Sequence, residues 1–359
     1  MNHDDAEVAL ASWLASLRPD AEAVRLRGID RVDVGHSAET LLVTATWTEH
    51  GTERDQGLVV RIRPPAPGLL PPYDLRRQFE ILRALELTAV RAPRALWYEG
   101  TGTVLGREFY VMEHLQGQVF EREVPIDIAR DPHRIRRMCD SMIGQLAAIH
   151  TVDLEATGLG AIANGRDYVD RELAHWSGEI RRLQRGALPA LERVHRELIA
   201  QQPAPNPTVS LVHGDPKVGN FAFVGDDVTA VFDWEMATLG DALADLGWAE
   251  MLWKTPGSLT AMPGAPTVNE MVAQWEALTG MRASHRGWYR AFQRFKTAVI
   301  LLVGVQLFDD GHTDDPRFAQ MADTIPYYTS HALAELGVHD DLDQGAYRPR
   351  PERVTPTRG

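Results

Sequence analysis

The sequence predicts an α+β protein of two lobes, a small β-rich N-terminal lobe and a larger, mainly helical C-terminal lobe. Three observations carry this expectation. At 359 residues the chain is too long for one small core and suits two. Strand-like segments concentrate before residue 116, in the order β-β-β-α-β-β. Beyond Gly117 helical periodicity dominates, interrupted by one β-rich stretch that begins at Val209. The expected division is residues 1–115 for the N-lobe, 116–339 for the C-lobe, and a polar, mobile tail over 340–359.

The elements follow in chain order. Residues 4–17 read as an amphipathic helix, because Val8, Leu10, Trp13, Leu14 and Leu17 recur near helical spacing. Extended segments are expected at 29–34, 40–47 and 57–63, with His50-Gly51-Thr52 as the turn into the third. Pro64-Pro65-Ala66-Pro67-Gly68 stops that strand, since proline brings no N–H to a ladder. Leu75, Phe79, Leu82 and Leu85 then form a helical stripe, and residues 95–99 and 109–114 return to strand. In the second lobe, Asp131 is a natural N-cap with Pro132 at the first helical position. The helix they open reaches His150, with Ile135, Met138, Met142, Leu146 and Ile149 as its core stripe. Further helices are expected over 167–184, 188–201, 241–254, 268–279, 284–308 and 316–336.

Composition narrows the function classes. A net charge of −13 argues against general nucleic-acid binding, which needs a basic surface. No uninterrupted apolar run reaches membrane-spanning length, and the first residues are acidic where a signal peptide is basic. Cys139 is the single cysteine, so no internal disulfide forms. Together these features lead to the expectation of a cytoplasmic protein with no membrane partner. They leave the oligomeric state open.

The stretch VSLVHGDPKVGNFAFVGDDVTAVFDWEMATLGDALADLGW, residues 209–248, carries the chemistry. Val224-Gly225-Asp226-Asp227-Val228 is a hairpin turn between two apolar strands. Folding it brings Asp233 beside Asn220, with Asp215 on the preceding loop. Two carboxylates and an amide oxygen then share a small volume, a donor set suited to Mg²⁺ and phosphate chemistry.

His213-Gly214-Asp215 with Asn220 resembles the H-G-D-x-x-x-x-N catalytic loop of the aminoglycoside phosphotransferase family. Asp233-Trp234-Glu235 resembles that family's D-W-E segment, which stands where protein kinases carry D-F-G. The match is to a bacterial subgroup that also resembles the kinase-like domain of some acyl-CoA dehydrogenases. The resemblance implies a protein kinase-like two-lobed fold and phosphoryl transfer from ATP or GTP, with Mg²⁺, to a hydroxyl of a small acceptor. Aminoglycosides are one acceptor class among several, because choline, macrolide, sugar and hydroxyacyl-CoA kinases share the fold.

Residue by residue, the resemblance makes Asp215 the group that orients or accepts the hydroxyl proton, and Asn220 and Asp233 the metal ligands. His213 becomes a support of the loop. Lys217 matches the D-x-K pattern that reaches the γ-phosphate, although a surface lysine is the plain alternative. Gly35 and Ser37 fall in the phosphate-covering loop, and Arg61 takes the place of the phosphate-binding lysine on the third strand. Backbone groups of Glu113 and Leu115 become the adenine hinge. The helix residue that pairs with the strand cation is Gln78 where the family has Glu, and Glu80 is the other option. Asp241 and Asp245 read as caps or supports. Trp248, Trp253, Tyr168 and Trp176 stand as acceptor-pocket or core residues. The rival function is a nucleotide-binding pseudokinase acting as a regulatory module, which Gln78 favours and the retained Asp215, Asn220 and Asp233 oppose.

Overall fold

The computed structural model describes residues 3–32, 39–70, 73–162, 165, 167–183 and 188–339. Gly35, Ser37 and the 340–359 tail lie outside them. The N-terminal part is an antiparallel sheet of β1 (Ala21–Val32), β2 (Glu39–Glu49), β3 (Thr52–Ile62), β4 (Ala95–Glu99) and β5 (Phe109–Glu113) in the order β1-β2-β3-β5-β4. Helix α1 (His3–Ser16) precedes it, and α2 (Leu75–Leu85) lies between β3 and β4 in sequence. His50 and Gly51 both take positive φ, 50° and 74°, so the β2–β3 turn is of the type whose twist matches the strands it joins. Alternate β2 residues Leu41, Val43, Ala45 and Trp47 face a core shared with Leu10 and Leu14 of α1.

β1 begins eight residues before its expected start. Its two register shifts, between Glu22 and Arg25 and between Arg27 and Ile29, break the two-residue period by which a strand is recognised.

The C-terminal part is helical around one large core. It contains α3 (Ile126–Ala129), α4 (Pro132–His150), α5 (Tyr168–Arg182) and α6 (Pro189–Ala200), then α7 (Ala242–Leu252), α8 (Val268–Thr279), α9 (Arg286–Asp309), α10 (Pro316–Gln320) and α11 (Ile325–Glu335). Between α6 and α7 stand β6 (Ser210–Val212), β7 (Phe221–Val224), β8 (Asp227–Val231) and β9 (Thr238–Gly240). β6 pairs with β9, and β7 with β8 through the Gly225-Asp226 turn. Asp131 caps α4 by accepting the His133 and Arg134 N–H groups, and the whole expected stripe from Ile135 to Ile149 is buried. Cys139 is fully buried beside that stripe, and burial pushes its thiol up to about 12.

The single helix expected over 316–336 is two helices joined by a turn at Met321–Thr324. Pro326 is the reason: it fits the first turn of a new helix and cannot continue an old one. α9 has the length and composition of a membrane span, but 67% of its most apolar window is buried against neighbouring helices. The two parts interlock. Leu75, Ile81, Leu82 and Leu85 of α2 belong to the large core, as does Leu69 from the loop after β3. A Cβ on Gly304 of α9 would lie 3.4 Å from the Leu69 Cδ1 atom.

Candidate active site

The chain leaves β6 at Val212 and turns sharply at Gly214, whose φ is 89°. A Cβ there would sit 2.6 Å from that of Met236, so only glycine fits. His213 is completely buried. Its Nε2–H donates to the Phe232 carbonyl at 2.8 Å, and its Nδ1 accepts the Asp215 N–H at 3.2 Å. The imidazole thus braces the loop, as expected, and tilts against Trp234 with ring centres 4.8 Å apart.

Behind the loop lies Asp245, on the first turn of α7 and 1% exposed. Its Oδ2 accepts the His213 N–H at 2.6 Å and its Oδ1 the Gly214 N–H at 2.9 Å. The third donor is His150 Nε2, 3.1 Å from Oδ2. Trp275 donates its indole N–H to His150 Nδ1 at 2.9 Å, which leaves the ring proton on Nε2. Burial pushes the Asp245 carboxyl upward, but the hydrogen bonds and the neighbouring imidazoles prevail and hold it below the usual aspartate range. Asp241 caps α7 by accepting the Leu243 N–H at 3.0 Å. Both residues are supports, as the sequence suggested.

Asp215 follows. Asn220 Nδ2 donates to its carbonyl at 2.7 Å and to its Oδ2 at 3.0 Å. Lys217 Nζ lies 3.4 Å from the same Oδ2 and 3.8 Å from Glu121 Oε1. Asp215 Oδ1 is buried and accepts no hydrogen bond among the described residues. Burial raises the Asp215 carboxyl above its ordinary value, and Asp233 adds to this against the opposing pull of Lys217. Lys217 is raised in turn, chiefly by the Asp215 carboxylate.

The β7–β8 hairpin brings the chain back as expected. Phe221 pairs with Val231, and the Phe232 N–H donates to the Asn220 carbonyl at 2.8 Å. Asp233 comes next at φ 66°, ψ 61°, a left-handed conformation that Asp tolerates better than most residues. Across from it, Arg61 extends from β3. Its Nη1 donates to Thr40 Oγ1 at 3.1 Å. Its Nη2 lies 3.2 Å from Asp233 Oδ1 and 3.3 Å from Glu235 Oε2.

Neither expected helix partner meets Arg61 in an ion pair. Gln78 is buried and accepts the Tyr110 hydroxyl at 3.3 Å. Glu80 pairs instead with Arg76 at 2.9 Å on the exposed face of α2, two residues round the helix from Gln78. Glu235 is the partner that the sequence reading missed, although it stands in the quoted D-W-E. Glu121 beside Lys217 and His150 behind Asp245 carried no local signal.

At the junction of the lobes, the Glu113 N–H donates to the Arg94 carbonyl, while the Glu113 side chain accepts from the Arg94 N–H and Nε. The Leu115 N–H donates to no described group. Gly117 passes β7 so closely that a Cβ would lie 2.8 Å from that of Ala222. The four aromatics considered for an acceptor pocket, Trp248, Trp253, Tyr168 and Trp176, are all buried and pack in the C-lobe.

With this geometry in view, the comparisons with known proteins are decisive for the family. Residues 28–291 match the family model described as the phosphotransferase enzyme family, APH. The chain belongs to that family. It is 30% identical over 260 residues to acyl-CoA dehydrogenase family member 10 of Mus musculus, covering 69% of this chain but only 24% of that protein. The alignable part is thus about a quarter of that relative. A crystal structure from Ralstonia eutropha JMP134, assigned as an aminoglycoside phosphotransferase, superposes with a TM-score of 0.73 at 25% identity, covering 92% of this chain and 98% of that one. The fold is also that of a thermostable mutant of aminoglycoside phosphotransferase APH(4)-Ia in ternary complex with ADP and hygromycin B, with a TM-score of 0.56 at 14% identity over 92% and 98% of the two chains. The family match and the kinase-like two-lobed fold shared with these structures place the chain among the phosphotransferase-family proteins.

Proposed function

We propose that the protein transfers the γ-phosphate of ATP or GTP to a hydroxyl of a low-molecular-weight acceptor, with Mg²⁺. One observation carries this reading. Asp215, Lys217 and Asn220 converge from one loop with Asp233 from the hairpin, and Arg61 reaches Asp233 from the other lobe at 3.2 Å.

Asp215 is assigned the acceptor hydroxyl. Its buried, unpartnered Oδ1 is the natural recipient of that proton, and its raised pKa makes it a stronger base. Lys217 and Arg61 supply positive charge to the phosphates, Arg61 with a planar fork of donors. The Glu113 carbonyl and the Leu115 N–H are assigned to the base of the nucleotide, and Gly35 and Ser37 to the loop over its phosphates.

Asn220 and Asp233 fit a hard cation. The Asn220 amide nitrogen is committed to Asp215, which leaves its Oδ1 as the spare group, and Asp233 Oδ2 accepts no hydrogen bond from a described residue. No cluster of three or more His, Cys, Asp or Glu suited to a metal occurs among the described residues, so the nucleotide phosphates must complete the shell. Bound Mg²⁺ would neutralise charge on those phosphates.

The rival reading, a nucleotide-binding module without transfer, drew on Gln78. With Arg61 held by two other acids, Gln78 no longer favours it. An acceptor-library screen that follows ADP release above the acceptor-free rate tests the proposal. Nucleotide binding with no acceptor raising turnover would support the module instead.

A further inference from the structure

A strand cation that grips phosphates needs a fixed counter-ion. Without one, a flexible arginine spends its side-chain entropy at the moment of binding. In the kinase-like pattern that counter-ion comes from the helix after β3. Here that helix supplies none. Gln78 is uncharged and buried against the Tyr110 hydroxyl, and Glu80 is turned to solvent on Arg76. The guanidinium of Arg61 nevertheless has two acids, Asp233 and Glu235. They are not equivalent. Asp233 is the proposed metal ligand, so its carboxylate would be shared with the cation when metal and nucleotide bind. The Glu235 side chain is 8% exposed, against 32% for Asp233.

We infer that Glu235 is the positioning residue for Arg61: the ion pair that orients the phosphate-binding cation has moved from α2 to the D-W-E segment of the C-lobe. Two features support this assignment. The left-handed backbone at Asp233 sets the course of the chain just before Glu235. Thr40 Oγ1, 3.1 Å from Nη1, fixes the other arm of the guanidinium, so Thr40 and Glu235 together define its plane. Arg61 would then stay in place when the cation draws on Asp233. A further consequence is that α2 carries no counter-ion whose movement would alter phosphate binding. The inference rests on the nucleotide-binding reading above.

The test is ADP titration by calorimetry, in EDTA and again with Mg²⁺, on the full chain. Glu235→Gln keeps the volume and removes the charge. With Mg²⁺, where the cation would engage Asp233, it is expected to weaken ADP binding about tenfold, the size of one lost charge-assisted contact; in EDTA, where Asp233 still holds Arg61, it should weaken binding less. Arg61→Ala should weaken it at least as much, and the double variant should be no weaker than Arg61→Ala alone, because the glutamate acts through the arginine. Glu80→Ala, on the exposed face, should match the wild type. Wild-type or tighter ADP affinity in Glu235→Gln with Mg²⁺ would overturn the inference, as would losses that simply add in the double variant. A Glu235→Gln loss with Mg²⁺ that persists in full on the Arg61→Ala background would also overturn it, by making Glu235 a metal ligand rather than the partner of Arg61. If the wild-type chain binds no ADP at all, the nucleotide reading itself fails, an outcome separate from these.

Discussion

Removing the Asp245 carboxylate should collapse the His213–Asp215 loop without touching Asp215 itself. Asp245 accepts three hydrogen bonds, from the N–H groups of His213 and Gly214 and from His150 Nε2, and it is 1% exposed. Asp245→Ala leaves all three donors buried and unpaired. At about 1.5–3 kcal/mol for each bond to a charged group, the loss is roughly 4–9 kcal/mol. A whole domain is stable by only about 5–15 kcal/mol, so this variant should be barely folded. Asp245→Asn is the sharper test. It keeps one acceptor oxygen and turns an NH₂ group toward donors, which should cost about 3–5 kcal/mol. Urea unfolding followed by tryptophan fluorescence measures both. The pH dependence adds a second constraint. The folded-state carboxyl lies below its unfolded value of about 3.9, so its contribution is fully present above that value and is lost as pH falls through the folded pKa. The stability gap between wild type and Asp245→Asn should therefore narrow on acidification. An Asp245→Asn protein within about 1 kcal/mol of wild type, smaller than a single such bond, would refute the reasoning.

Three other outcomes are expected. Asp215→Ala should keep nucleotide binding and native stability while transfer falls about 10²–10⁴-fold, and the acid limb of wild-type kcat should lie above the ordinary aspartate pKa; parent-like turnover makes Asp215 a structural residue. ATP should raise the melting temperature more with Mg²⁺ than with EDTA, and equal shifts would remove the metal roles of Asn220 and Asp233. Gln78→Ala should leave ATP affinity nearly unchanged in a nucleotide titration while lowering stability by about 1 kcal/mol, because the Tyr110 hydroxyl loses a buried acceptor.

The parts of the site that the sequence made legible were those coded by short-range pattern. A hairpin turn between two apolar strands placed Asp233 beside Asn220, and the order of H-G-D, Asn and D-W-E implied the rest. The pairing of β6 with β9 was hidden because each strand has three residues, too few for any period to show. Arg61 was recognised from its strand, but its partner was sought on the nearest helix. The true pairing spans 174 residues and depends on the left-handed turn at Asp233. His150 likewise meets Asp245 across 95 residues, a relation fixed by helix packing rather than local sequence. The break in the last helix was legible in principle, since Pro326 marks a helix start as readily as an interruption.

Cys139 offers a way to time the opening of this molecule. It is the chain's single thiol, sealed inside α4 and raised to about 12, so in the folded protein it presents almost no thiolate to an alkylating reagent. Any labelling must pass through a state in which α4 has parted from its neighbours. The same helix ends at His150, the residue that holds Asp245 under the His213–Asp215 loop. The rate at which a maleimide captures Cys139 is thus a stopwatch for excursions of the scaffold directly beneath the candidate active site, readable by mass spectrometry on the unaltered chain.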